Sequence, residues 1–147
     1  MQKIIKLSLT LFVFCVLAGG SLAGIYLLTA PLIERNTRLA YENSVKEVVP
    51  NGAGRAVLVA PRGYGGQIEM IVGISTSGEV LGVKVLKQKE TPGLGSAITK
   101  MSFLQQFIGK SLKDRLAPKE DIDTITGATI STRAVCDGIK QALKAQP

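Results

Sequence analysis

From Leu7 to Ala30 the chain reads "LSLTLFVFCVLAGGSLAGIYLLTA" without one charged side chain, and no other feature limits its fold so strongly. About 24 residues at 1.5 Å rise cover the roughly 30 Å hydrocarbon core of a bilayer, so the stretch reads as a membrane-spanning helix. Lys3 and Lys6 before it, and the small residues of "SLAG" inside it, also fit a cleaved signal peptide. An anchor is favoured, because the apolar run continues through "IYLL" and no clean A-x-A site precedes a polar start. Cys15 follows bulky Val13 and Phe14, which argues against a lipoprotein signal. Basic residues flank the span almost equally: Lys3 and Lys6 on one side, Arg35, Arg38 and Lys46 among three glutamates on the other. The signal-like amino terminus favours N-in, C-out. Gly20 to Gly24 offers a small-xxx-small face for close helix packing, or simply glycine in a membrane span.

The rest of the chain divides by pattern. Residues 1–30 are the predicted anchor, 31–50 a helical stalk and 51–147 a domain. Ile33, Thr37, Ala40, Tyr41, Ser44, Val45 and Val48 fall on one helical stripe, and "PNGAG" (Pro50–Gly54) ends it. Ala56–Ala60 reads as a short strand. Ile68, Met70, Val72 and Ile74 alternate with Glu69, Ile71 and Gly73, and Leu81, Val83 and Val85 alternate with Gly82 and Lys84. Thr76-Ser77-Gly78 between them supplies turn chemistry, which predicts an antiparallel hairpin. A helix is expected over Ala97–Ile108, with Ile98, Met101, Leu104 and Ile108 on one face and Phe103 and Phe107 flanking it. A last helix over Ser131–Ala145 groups Val135, Ile139, Ala142 and Leu143. The sum is an α+β fold hung on one membrane helix.

Composition removes several kinds of chemistry. There is no histidine, hence no imidazole general base, triad or metal ligand. The net charge is +7, but the basic residues are scattered among acids and no aromatic residues interleave a basic cluster, so a solvated surface is read rather than nucleic-acid binding. Cys15 and Cys136 have no metal-ligand spacing, and Cys136 reads as a small buried hydrophobe. No metal site is expected.

Three glycine-rich stretches remain: "RGYGGQ" (Arg62–Gln67), "KETPGLGSA" (Lys89–Ala97) and "DTITGATIST" (Asp123–Thr132). Pro92-Gly93 suits the centre of a type II turn, and Gly95 permits close backbone approach. Leu94 would then project from a tightly curved loop, unless the stretch is only a strand-to-helix connection. In the third stretch Gly127-Ala128 allows a turn, and Thr129, Ser131 and Thr132 stand where a helix begins. Such hydroxyls are first read as N-caps. Their number exceeds what capping needs, and a helix start with free N–H groups is also an anion site. Neither a P-loop nor a G-x-G-x-x-G after a strand occurs.

Together these stretches, with "TAPLIERN" after the anchor, "VLKQKETPGLG" and "FLQQFIGKSL", resemble the G subunit of Rnf-type (Rsx) electron transport complexes, members of the FMN-binding domain family. The C subunit of sodium-pumping NADH:quinone reductase is a related family. The chain is short for the Rnf family. The resemblance is most specific in the flavinylation pattern D-x-x-[ST]-G-A-T, met by Asp123, Thr126, Gly127, Ala128 and Thr129. It implies that a flavin transferase recognises this signal and joins FMN covalently to Thr129 through a phosphoester. It also implies that Glu90, Thr91, Leu94 and Gly95 meet the ring and ribityl chain of the cofactor. With FMN so placed, Thr126, Ser131 and Thr132 could donate further hydrogen bonds to its phosphate, and Gly127 and Ala128, also at the cofactor, would leave room for the transferase to reach Thr129.

The expected fold is thus a single membrane helix followed by a small FMN-binding domain, an antiparallel sheet flanked by helices. The expected function is an electron-carrying subunit, not a self-sufficient enzyme, within a membrane complex coupling ferredoxin–NAD electron transfer to cation movement. Its partners would be other subunits, the transferase and the lipid bilayer. Its location would be the cytoplasmic membrane, with the domain on the extracytoplasmic side. The alternatives are the quinone-reductase relative, a stand-alone membrane flavoprotein, or a non-redox membrane-tethered binding or assembly module.

Overall fold

The computed structural model describes residues 2–50 and 52–145. Helix α1 spans Gln2–Val48 and contains Pro31. It is long and apolar enough to cross a membrane. The chain forms two compact units, residues 1–40 and 41–147, so the last turns of α1 belong to the second.

That second unit is built on an antiparallel meander of β1 (Gly54–Val59), β2 (Glu69–Ser75) and β3 (Val80–Lys87). The predicted hairpin is β2–β3, with Val72 opposite Val83. Its turn closes through the Ser75 N–H to the Glu79 carbonyl at 2.8 Å, with Gly78 at φ 84°. Period-2 alternation sends Met70, Val72 and Ile74 into the main core. There they meet helix α3 (Thr129–Lys144), which buries Val135, Cys136, Ile139, Ala142 and Leu143. Burial pushes the Cys136 thiol up to about 12, with Asp137 adding to the effect, so Cys136 packs as a neutral hydrophobe.

The opposite face of β2 is covered as well. Ile71 packs with Val48 and Val49. Gly73 lies opposite Gly82 across the β2–β3 ladder, and the pair leaves a depression that Val48 fills. A Cβ on Gly73 would stand 2.1 Å from the Val48 carbonyl oxygen. This explains why a strand otherwise rich in β-branched residues carries glycine at its centre.

The expected helix over 97–108 is instead three short pieces: a 3₁₀ turn at Gly95–Thr99, α2 at Met101–Leu104 and a second 3₁₀ turn at Gln105–Phe107. Lys100, at φ −68° and ψ 135°, interrupts it. The interruption turns Phe103 and Phe107 inward, edge to face at 5.5 Å, while Met101 and Ile108 are exposed. Ile98 and Leu104 of the expected face are buried, so the aromatic pair displaces only Met101 and Ile108 from it.

From Ile108 to Ala128 the chain has no regular element and is held by specific bonds. The Gly109 N–H donates to the Val80 carbonyl, and the Val80 N–H donates to that of Lys110. Leu116 is fully buried at φ 47°, a left-handed conformation costing about 1–2 kcal/mol. The Asp121 carboxylate offsets this by accepting the Leu116 and Ala117 N–H groups at 2.9 and 2.7 Å, beside Lys110 at 3.6 Å. Burial alone would raise the Asp121 carboxyl. The Ala117 and Leu116 N–H bonds and the Lys110 charge outweigh it and hold the group below the usual carboxylate range.

Replacing Gly73 with alanine should lower stability by about 1–3 kcal/mol in urea unfolding of the full chain, because backbone must move to admit the methyl. Because the folded Asp121 carboxyl is depressed, its contribution is complete above about pH 4 and lost as pH falls through the folded value. Asp121→Asn should therefore lower the melting temperature at neutral pH and flatten its decline on acidification.

Candidate functional site

The three glycine-rich stretches, far apart in sequence, meet at one side chain. Glu90 is 5% exposed, and both of its carboxylate oxygens are engaged. Oε1 accepts the Gly65 N–H at 3.1 Å and Oε2 accepts the Ser131 hydroxyl at 2.6 Å. A buried carboxylate needs such donors, since desolvation without them is expensive. The approach is close enough to require glycine: a Cβ at Gly63 would lie 2.2 Å from Oε1, and one at Gly95 2.8 Å from Oε2.

Two similar turns stand on either side of this junction. In the first, the Leu94 N–H donates to the Thr91 carbonyl at 3.2 Å around Pro92-Gly93, with Gly93 at φ 77°. In the second, the Ala128 N–H donates to the Ile125 carbonyl at 2.9 Å around Thr126-Gly127, again with φ 77° at the glycine. Both have the type II signature. They also touch: a Cβ on Gly127 would stand 2.7 Å from Leu94 Cδ1.

Between the turns opens a cavity of about 480 Å³, within the range usual for small-molecule sites. Of the residues singled out in the sequence, Glu90, Thr91, Leu94 and Gly95 line one wall. Gly127, Ala128, Thr129 and Ser131 line the other. Thr126, Thr132 and Asp123 are not on its lining. Thr132 is fully buried; its hydroxyl donates to the Ala128 carbonyl at 3.0 Å and accepts the Ile125 N–H at 3.4 Å. Asp123 is exposed, and its N–H donates to Gln106 Oε1 at 2.7 Å.

The capping expectation needs correction. The residue before α3 is Ala128, at φ −122° and ψ 40°, and no side chain caps the helix. Ser131 is directed to Glu90 and Thr132 to the preceding turn, so neither serves the first-turn N–H groups. The Thr129 hydroxyl, at the exposed first residue of α3, has no hydrogen-bond partner among the described residues. The N–H groups of Thr129, Ile130 and Ser131 likewise have no acceptor there. A free hydroxyl and a helix start with open donors share one cavity wall.

Two lining residues escape the sequence reading. Tyr64 is 73% exposed and Ile130 is 56% exposed, and both border the cavity. With Leu94 they provide exposed apolar surface suited to a flat ring. For Tyr64 the signal was its place between Gly63 and Gly65-Gly66, where an aromatic side chain stands out from a loop pressed onto Glu90.

These features define a small ligand-binding domain whose pocket has apolar walls and an anion-accepting end. The chain belongs to the FMN-binding domain family, whose model matches residues 63–144. The model of the RnfG N-terminal region matches residues 1–48. Over 71% of its length the chain is 42% identical to the G subunit of the ion-translocating oxidoreductase complex of Shewanella baltica, covering 56% of that protein. It is 28% identical to the G subunit of the proton-translocating ferredoxin:NAD(+) oxidoreductase complex of Clostridium ljungdahlii, over 97% of this chain and 91% of that one. The chain thus spans little more than half of the Shewanella relative. Among solved structures, NqrC of Shewanella oneidensis superposes with a TM-score of 0.50 at 24% identity, over 62% of this chain and 54% of that one. The C subunit of the Na(+)-translocating NADH-quinone reductase from Parabacteroides distasonis gives 0.50 at 22%, over 63% and 57%. These two share the fold.

The Glu90–Ser131 bond is the measurable element of this site. A Glu90→Ala, Ser131→Ala double-mutant cycle in urea should show a coupling of about 1–3 kcal/mol. Glu90→Ala should be the more damaging single change, because it strands the Gly65 N–H as well.

Proposed function

We propose that this chain is the electron-carrying G-type subunit of a membrane-bound, ion-translocating Rnf complex, with FMN joined to Thr129 through a phosphoester. The observation that carries the reading is the Thr129 hydroxyl: exposed, without a partner among the described residues, and at the helix start that opens onto the cavity. The names of the Shewanella and Clostridium relatives support the complex, and the match to the RnfG N-terminal region favours the Rnf type over the quinone-reductase type.

The residues fit the group they are asked to hold. Tyr64, Leu94 and Ile130 supply apolar surface for the ring. The open N–H groups and dipole of α3 favour the negative charge that stays on the linked phosphate. Gly127, against which Leu94 packs, adds no side chain of its own beside Thr129, and exposed Asp123 and Thr126 are accessible to a flavin transferase. In the attachment step the Thr129 oxygen would form a bond to the FMN phosphorus of FAD, with the pyrophosphate bond breaking, AMP leaving and the hydroxyl proton passing to solvent. Bound FMN supplies one-electron transfer; the protein binds it, orients it and shields one face from water. Helix α1 holds the domain at the membrane, with the N-terminus inside and residues 51–147 on the extracytoplasmic side. Ferredoxin–NAD electron transfer and cation movement belong to the complex as a whole, and the other subunits are this chain's partners.

Co-expressed with a flavin transferase, the wild-type chain should keep flavin fluorescence in a denaturing gel. Thr129→Ala should lose it entirely and Thr129→Ser should retain it. A dark wild-type band beside an active transferase would overturn covalent attachment.

A further inference from the structure

Glu90 is the one charged side chain among the residues lining the cavity. It is buried, and no lysine or arginine pairs with it among the described residues. Both carboxylate oxygens accept from neutral donors, the Gly65 N–H and the Ser131 hydroxyl. A carboxylate in this place needs those donors, but the donors do not need a carboxylate. A glutamine would serve both: its carbonyl accepts the Gly65 N–H, and its amide donates to the Ser131 oxygen, since a hydroxyl also accepts. Holding the loops together thus explains the length and shape of the side chain at position 90 and leaves its charge unexplained. That charge is costly, because burial strips it of hydration that neutral donors only partly replace. The start of α3 offsets a share of it: Ser131 is the third residue of that helix, and a helix N-terminus carries roughly +0.5 of an elementary charge. Half a charge does not cancel a whole one, so this wall keeps a net negative field. Tyr64, Leu94 and Ile130, which face the same cavity, do little to screen it.

We propose that the Glu90 carboxylate sets the reduction potential of the cofactor in this cavity and holds it low. The inference rests on the flavin reading above and concerns a property of the ring that binding alone does not fix. Each electron the ring takes up adds negative charge beside Glu90, so uptake is less favourable than it would be beside a neutral side chain. The repulsion is strong there because a seated ring replaces water with surface of low dielectric. The Ser131 hydroxyl moderates it by holding one carboxylate oxygen to the start of α3. Glu90 therefore has two roles, a junction of loops and a fixed electrostatic setting, and substitution separates them. Glu90→Gln keeps the bonds and removes the charge. Ser131→Ala keeps the charge and removes a bond.

The test uses the full chain, co-expressed with a flavin transferase and held in neutral detergent, with the midpoint read from flavin absorbance in an electrode titration. Glu90→Gln should move the midpoint upward: at the potential where wild type is half reduced, the ratio of reduced to oxidised flavin should be about tenfold higher. Ser131→Ala should move it the other way, because the carboxylate loses its hydroxyl donor. Glu120→Gln, which removes a carboxylate from the exposed pair with Arg115, should leave the midpoint where it is. An upward shift shared by Glu90→Gln and Ser131→Ala would trace the effect to loosened loops and overturn the proposal. So would a midpoint unchanged in Glu90→Gln, or an equal shift in Glu120→Gln. Where Glu90→Gln takes up no flavin, Ser131→Ala decides alone, and a midpoint that rises or stays put overturns the proposal. A wild-type band dark in the denaturing gel overturns covalent attachment only; the same titrations are then read on FMN bound without a covalent link, and a chain that binds no FMN at all overturns both readings.

Discussion

One buried carboxylate organises the functional half of this domain. Glu90 accepts from a loop amide at Gly65 and from a helix hydroxyl at Ser131, while its own chain continues directly into the Pro92-Gly93 turn. Three loops with little apolar surface of their own converge because a desolvated carboxylate needs donors from several directions. The main core behind it, with Ile98, Val135 and Ile139 fully buried, supplies bulk stability without fixing where the loops end. A carboxylate at the centre confers direction that packing alone does not. Leu94 and Gly127 come into contact as a result, and the cavity is what the two turns leave between them.

The sheet was legible because both of its signals are local. Alternation in Ile68–Ile74 and the Thr76-Ser77-Gly78 turn are properties of adjacent residues, and they suffice for β2, β3 and their pairing. The Pro92-Gly93 turn was legible for the same reason. The segment around Phe103 was not: its apolar spacing fits a regular helix, and only the need to bury both phenylalanines breaks it at Lys100. The assignment of hydroxyls near α3 failed on a longer-range effect. Ser131 has its partner forty-one positions away at Glu90, and no local rule distinguishes that bond from a cap. Tyr64 is not legible in the sequence, because an exposed tyrosine in a glycine-rich loop says nothing until the loop's neighbour across the cavity is known. The stretch from Asp123 to Thr129 matches a family pattern by resemblance; spacing and hydropathy alone reach only an anion-accepting turn.

The pairing of Gly73 with Gly82 joins the sheet to the last turns of α1. It accounts for two strand glycines by one contact, with the Val48 backbone. Both faces of β2 are consequently buried, one by α3 and one by α1, and a three-stranded meander that would be marginal alone becomes the centre of a layered unit.

Helix α3 begins without a cap, and its first three amides have no acceptor among the described residues. In the bare chain water must serve them, so the helix is left unfinished at the end that faces the cavity. A phosphate linked at Thr129 would complete it. Loading and durability would then be the same event: a loaded protein would outlast an empty one, which would open more often at this end, where proteases act.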